Sequence, residues 1–269
     1  MAIIDKKGFK HGRVGAETYY VRNGKQVVRA SKNEMSYGEK KNAPFTKKQF
    51  VEQQRHGHNS RLWKVLKTAW LDVNEKAYFE GGYTAFNQFI ALNRHLPNVF
   101  LTKYMDNATL LLPGTMVSDG PLPSFNYEFG EVNGVPALLT DLAEAERAKG
   151  KLLLYVLRQE VDKLGIPEVS AKVMELNNET KEANIDTKGV NIETVDGCIA
   201  LTGDLFADEM AGFGLVHIVD GHVSPQHILT RCTYYERFTG DEVMKEAAKS
   251  YGTVKDLVGG DWKCTPRKK

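Results

Sequence analysis

The sequence predicts an α+β protein: an N-terminal arm and β-hairpin, a helical pair, an antiparallel β-sandwich and a C-terminal helix. Three observations carry this. Two β-prone runs flank Asn23-Gly24 within residues 17–30, the strongest short-range hairpin signal. Leu62, Leu66, Ala69 and Val73 recur at helical spacing, with Trp63 and Trp70 beside them. The C-terminal half is a series of short apolar runs separated by turn residues, the pattern of an antiparallel sandwich. The resulting organisation is arm and hairpin over 1–30, a helical segment over 31–100, the sandwich over 101–238, and a helix with a basic tail over 239–269.

Each element has a local reason. Gly8, Gly12 and Gly15 punctuate residues 1–16, which read as an extended arm. In the hairpin, both central turn residues must take positive φ, which Asn-Gly tolerates. Residues 31–45 read as a polar loop. Thr46 with Gln49 three residues later has capping-box spacing, and Phe50 and Val51 open the apolar face that follows. Gly57 is expected to break that helix into two pieces. A second helix is expected over about 82–95, with Phe86, Phe89 and Ile90 on its face and Pro97 ending it. Residues 108–117 read as a strand interrupted by Pro113-Gly114, 119–123 as a rigid loop, and 140–149 as a short capped helix or charged loop. Further strands are expected at 151–158, 169–176, 188–195, 198–202, 213–219 and 222–231, with Asp220-Gly221 joining the last two. Residues 240–250 are strongly helical in composition.

Composition sets the limits on function. The chain has 269 residues, 42% hydrophobic and 10% aromatic, which excludes a disordered protein. No apolar run approaches the roughly 20 residues of a membrane-crossing helix. Cys198, Cys232 and Cys264 are too far apart for a disulfide scaffold or a Cys-based zinc site. The N-terminus has no apolar core or small-residue cleavage site, so a cytoplasmic site of synthesis is expected. The formal net charge of +2 hides an asymmetry. Residues 1–70 carry +11, residues 71–262 carry −13 and residues 263–269 carry +4. A basic head and tail on an acidic body suggest self-association or an acidic partner.

The run GRVGAETYYVRNGKQVVRA resembles the opening of an uncharacterised family common in gut anaerobes, their phages and mobile elements. The likeness continues through Gln49-Phe50 and Gln53-Gln54-Arg55, the Ala85-Phe86-Asn87 helix, the Gly120-Pro121-Leu122-Pro123 loop and the hairpin FGLVHIVDGHVSPQHI. Asn42-Ala43-Pro44-Phe45 departs from the family's usual Asn-Pro-Arg-Thr, and the C-terminal helix is an addition. The resemblance implies an immunoglobulin-like C-terminal half and a phage context. It implies no reaction.

Motifs for chemistry are sparse. The sequence has no phosphate-binding loop, nucleophile elbow or H-E-x-x-H helix. Gly212-Phe213-Gly214 is a lone G-x-G, read as a β-bulge or the start of a strand. His56-Gly57-His58 has metal-pair spacing only on a strand, and it falls in a predicted helix. His217, His222 and His227 gather around Asp220-Gly221 without supporting ligands and read as surface or strand histidines. Asp204, Asp208 and Glu209 form an acidic loop lacking a calcium-loop pattern. No catalytic residue, metal or cofactor is expected.

One constellation stands out. Arg13, Arg22, Lys25 and Arg29 with Tyr19 and Tyr20 combine charge with stacking surface. Such a set binds an acidic protein face or phosphates and bases. The plainer alternative is that Tyr19, Val21 and Val27, with Tyr20, pack the hairpin onto the helices. The leading expectation is a non-enzymatic structural or assembly protein, a phage or mobile-element virion component, that docks copies of itself or other assembly proteins through the basic arm. Its alternative is a nucleic-acid-binding or packaging protein using the same arm, with a carbohydrate-binding or enzymatic module third.

Overall fold

The computed structural model of the chain describes residues 2–4, 7–14, 17–22, 24–30, 45–74, 84–176, 189–256 and 262–266. The fold is α+β, with four α-helices among these residues and antiparallel sheets. The first sheet is a meander of β1 (Ala2–Ile4), β2 (Lys10–Val14), β3 (Glu17–Arg22) and β4 (Lys25–Ala30). The segment expected as an extended arm is therefore itself strand, paired onto the hairpin. The loop expected at 31–45 falls outside the described residues up to its end. There β5 (Phe45–Thr46) leads into helix α1 (Lys47–Asn74).

The capping box forms as the spacing demands. The Thr46 N–H donates to Gln49 Oε1 at 2.9 Å and the Gln49 N–H donates to Thr46 Oγ1 at 3.3 Å, satisfying two donors that the first turn leaves without partners. Gly57 does not break α1, which runs through it. One glycine costs a helix only about 1 kcal/mol, and the buried neighbours His58, Asn59 and Leu62 hold the turn in place. The buried stripe of α1 runs Phe50, Gln54, His58, Leu62, Leu66, Trp70, at strict four-residue steps. At about 100° per residue such a stripe winds around the helix, so its two halves meet different neighbours. Phe50 packs with Phe100, Met244, Ala247 and Ala248. Leu62, Leu66 and Trp70 pack with Phe89 of α2 (Ala85–Leu92) on one face of a sheet. Helix α2 is capped by Thr84 and ends at Leu92, short of Pro97.

Residues 108–112, expected as strand, pair with no strand among the described residues; only β6 (Met116–Ser118) does so, with Gln226 and His227. The segment is buried, and apart from the Ala108 and Thr109 N–H groups, which donate to the Met105 and Pro167 carbonyls, its backbone is bonded largely by side chains. Leu110 N–H donates to His58 Nε2 at 3.0 Å and Leu111 N–H to Gln159 Oε1 at 2.8 Å. Arg61 Nε donates to the Ala108 carbonyl at 2.8 Å, and Thr109 Oγ1 accepts from Val169 N–H at 2.9 Å. Buried backbone groups must be paired by something, and here polar side chains of α1 and the buried Gln159 take the place of a ladder.

The rest of the body is two sheets. Strands β7 (Tyr127–Val132), β8 (Val135–Ala143), β11 (Asn191–Val195) and β12 (Cys198–Thr202) form one, ordered β11-β12-β8-β7, with helix α3 (Glu144–Arg147) following β8. Strands β9 (Lys151–Val161), β10 (Pro167–Leu176), β13 (Ala211–Val219) and β14 (His222–Val223) form the other, ordered β10-β9-β13-β14. The stretch expected as one strand over 222–231 is three short ones: β14, β15 (Gln226–His227) and β16 (Leu229–Thr230), the last also pairing with β13.

Side-chain alternation on β9 assigns the layers. Leu152 and Leu154 point into a core shared with Leu138, Ile199, Leu201, Phe213 and Leu215, between the two sheets. Tyr155 and Leu157 point the other way, toward Trp70, Leu66 and Phe89. The sheet is thus covered on both faces, which explains the unbroken apolar run of 152–157. Helix α4 (Asp241–Tyr251) and a terminal hairpin of β17 (Gly252–Asp256) and β18 (Trp262–Pro266) close the chain, and β18 pairs with β5. Among the described residues, three two-residue turns have both central residues at positive φ: Asn133-Gly134 (53°, 78°), Asp196-Gly197 (51°, 79°) and Asp220-Gly221 (50°, 78°). These are type I′ values, and their twist matches that of the strands they join.

Candidate interaction surface

The six residues singled out in the sequence all lie in the N-terminal sheet. Its register follows from the turn. Arg22 opposes Lys25 across Asn23-Gly24, and the pairing continues through Tyr20↔Val27, Tyr19↔Val28 and Thr18↔Arg29. On the other side of β3, Arg13 opposes Thr18 and Gly12 opposes Tyr19. Because opposite residues share a face and successive residues alternate, positions 13, 18, 20, 22, 25, 27 and 29 occupy one face. Five of the six predicted residues (Arg13, Tyr20, Arg22, Lys25 and Arg29) are brought together there, in a set that includes four cations and no carboxylate. Tyr20 is 36% exposed among them.

Tyr19 is not part of that set. It lies on the opposite face, where its hydroxyl donates to the Glu17 carboxylate and the Lys10 ammonium sits 5.4 Å from its ring centroid. The hydrogen bond to Glu17 holds the Tyr19 pKa above the ordinary tyrosine value. Lys10 and Glu17 were absent from the sequence-derived set. The signal that finds them is two-residue alternation, which puts Glu17 beside Tyr19 on β3 and, carried one strand further into β2, adds Lys10. Gln26, on the same face, ties β4 to β2 by accepting from Lys10 N–H at 2.6 Å and donating to the Lys10 carbonyl at 2.9 Å.

The plainer alternative placed Tyr19, Val21 and Val27 against the helices. Among the described residues, the four buried hydrophobic clusters include no residue of β1–β4. Ile4 is 63% exposed, Val14 52% and Val28 48%.

The remaining candidates are taken up by the fold. His58 is buried against Leu110, while His56 is exposed beside Ser60 and Phe86, so the pair faces apart. His217 is buried within β13, His222 is exposed beside the turn, and His227 stacks on Tyr127 at 5.9 Å. Burial lowers the pKa of both His217 and His227. In the acidic loop, Asp208 accepts from Arg158 Nε at 2.9 Å and from Met210 N–H at 2.9 Å. Asp204 and Glu209 are exposed. Gly212-Phe213-Gly214 is neither a bulge nor a phosphate loop, because the β13–β9 register is unbroken through it. A Cβ on Gly212 would lie 2.6 Å from Ile228, and one on Gly214 2.9 Å from the same side chain, so both glycines serve close packing. A cavity of about 250 Å³ is lined by Asn126, Tyr127, Glu128, Leu139, Thr140 and Asp141. Several of its polar groups already serve the fold: Asp141 accepts from Asn126 N–H and Nδ2, and Thr140 donates to the Ile199 carbonyl.

Among the described residues no helix is long and apolar enough to cross a membrane. Comparison with protein families, with curated proteins and with solved structures finds no match.

Proposed function

We propose that this chain is a non-enzymatic structural protein, a virion component of a phage or mobile element such as a neck, tail or capsid-associated part. It assembles by docking the basic face of its N-terminal sheet onto an acidic surface of a neighbouring copy or of another assembly protein. One observation carries the reading: Arg13, Tyr20, Arg22, Lys25 and Arg29 share a face of a sheet that enters none of the buried clusters among the described residues. Residues 71–262 supply the complementary charge of −13. Complementary potentials of this kind set orientation and on-rate, and a head-to-tail contact repeats into rings or open chains.

An immunoglobulin-like body fits the same reading. Lettered in order as A, B, C, C′, D, E, F and G, strands β7 to β14 pair as A-B-E-D and C′-C-F-G, the order of such sandwiches with one added strand. The buried and ion-paired titratable groups support a non-enzymatic role, since His58 and Asp208 are each engaged by backbone N–H groups of the fold.

Deleting residues 1–30 tests the proposal. The shortened chain is expected to keep the circular dichroism and cooperative melting of the body while losing assembly in light scattering. A truncated protein that assembles with unchanged stoichiometry overturns it, as does full-length protein that binds DNA or RNA tightly at low salt and does not self-associate.

A further inference from the structure

The second face of the N-terminal sheet differs in character from the basic one. The register places Ile4, Lys10, Gly12, Val14, Glu17, Tyr19, Val21, Gln26 and Val28 on it. Three of the eight large hydrophobic residues exposed among those described, Ile4, Val14 and Val28, lie on this one face. Its two charges are opposite in sign, and both engage Tyr19: Lys10 over the ring and Glu17 at the hydroxyl.

We infer that this face is a dimerisation surface whose partner is the same face of a second copy of the chain. A sheet with one apolar face is stable only when a second layer covers it, and the buried clusters of the body do not include it. Charge selects the occupant. The basic face does not select its own copy, because its register positions 13, 22, 25 and 29 are all Arg or Lys and like would be brought to like. The apolar face is neutral overall and carries one cation and one anion, so an identical face brings no net repulsion. Rotating a copy about a two-fold axis across the strands reverses the order of the residue rows. The row holding Lys10 then lies over the row holding Val14 and Glu17, and each Lys10 comes within about one strand spacing of the partner's Glu17 row. The result is a small two-layer sandwich of self-complementary faces, with a basic face turned outward on each side. This goes beyond the docking proposed above and does not depend on it.

Sedimentation velocity of the full chain at about 1 M NaCl tests it, because a Debye length of about 3 Å suppresses charge-driven docking there and leaves apolar burial intact. The wild type is expected to sediment as a dimer. I4E and V28E, each placing a charge at the centre or edge of the face, are expected to weaken the dimer by about tenfold or more with the body's melting temperature unchanged. The double variant R22E/K25E alters only the other face and is expected to remain dimeric. A wild type that is monomeric at its highest soluble concentration overturns the inference. So does dimerisation that survives both I4E and V28E, or that is lost in R22E/K25E.

Discussion

His58 ties acid stability to one hydrogen bond. Its ring is 1% exposed, and Nε2 accepts the Leu110 N–H at 3.0 Å, so the folded protein holds the imidazole neutral. Burial, and after it the Arg61 guanidinium, pushes its pKa down from 6.5 to about 3. A folded-state pKa below the unfolded value means that protons favour unfolding. The stability this neutral ring contributes is complete above about pH 6.5 and is lost as the pH falls toward 3. Within that window only the unfolded chain binds the proton, and unfolding free energy drops by about 1.4 kcal/mol per pH unit. Going from pH 7.5 to pH 5 therefore costs about 2 kcal/mol, a sizeable share of a typical 5–15 kcal/mol. The perturbation is His58→Gln, which keeps an acceptor near Nε2 and removes the titration. Urea unfolding at both pH values is the assay. The wild type should lose about 2 kcal/mol more than H58Q over this interval. Contributions from His217 and His227, whose pKa values are also lowered by burial, appear in both proteins and cancel in the difference. Equal losses in the two proteins refute the reasoning.

Three further outcomes follow from packing and capping. Gly212→Ala should cost about 1–3 kcal/mol by overpacking, since the new Cβ lies 2.6 Å from Ile228 and 3.2 Å from Leu111; a melting temperature within error of wild type contradicts it. Thr46→Ala should cost about 1 kcal/mol through loss of the reciprocal cap on α1, measured by chemical denaturation. Arg158→Ala should cost under about 1 kcal/mol, because the Arg158 side chain is 54% exposed in its ion pair with Asp208; a larger loss would show that the pair is structural.

Local chemistry made part of this molecule legible in its sequence. Asn-Gly and Asp-Gly turns, the Thr46–Gln49 spacing and the run Leu152–Leu157 each act within a few residues, and each leads to the element observed. The hairpin of β7 and β8 carries the same turn signal at Asn133-Gly134. Its first strand, however, contains Glu128, Gly130 and Glu131, which dilute the apolar alternation. Residues 108–112 show the limit most clearly. Their apolar, leucine-rich character reads as a strand, but side chains that bond their backbone (His58, Arg61 and Gln159) lie 47 to 52 residues away in sequence. Nothing local announces that a histidine and a glutamine will stand in for a neighbouring strand. For the candidate surface, the residue types were legible. Strand alternation alone turns Tyr19 away from Tyr20 and Arg22, whereas the place of Arg13 beside them followed only once the pairing of β2 with β3 was fixed.

Assembly driven by charge on the basic face of the N-terminal sheet must respond to salt and to charge reversal. The most direct measurement is the light-scattering mass of the full chain beside R22E/K25E at low salt and at about 0.5 M salt, where charge attraction is screened beyond a few ångströms. The wild type is expected to form large assemblies at low salt and to lose them at high salt, and R22E/K25E is expected to form none at either. Assemblies of equal mass in all four samples contradict it.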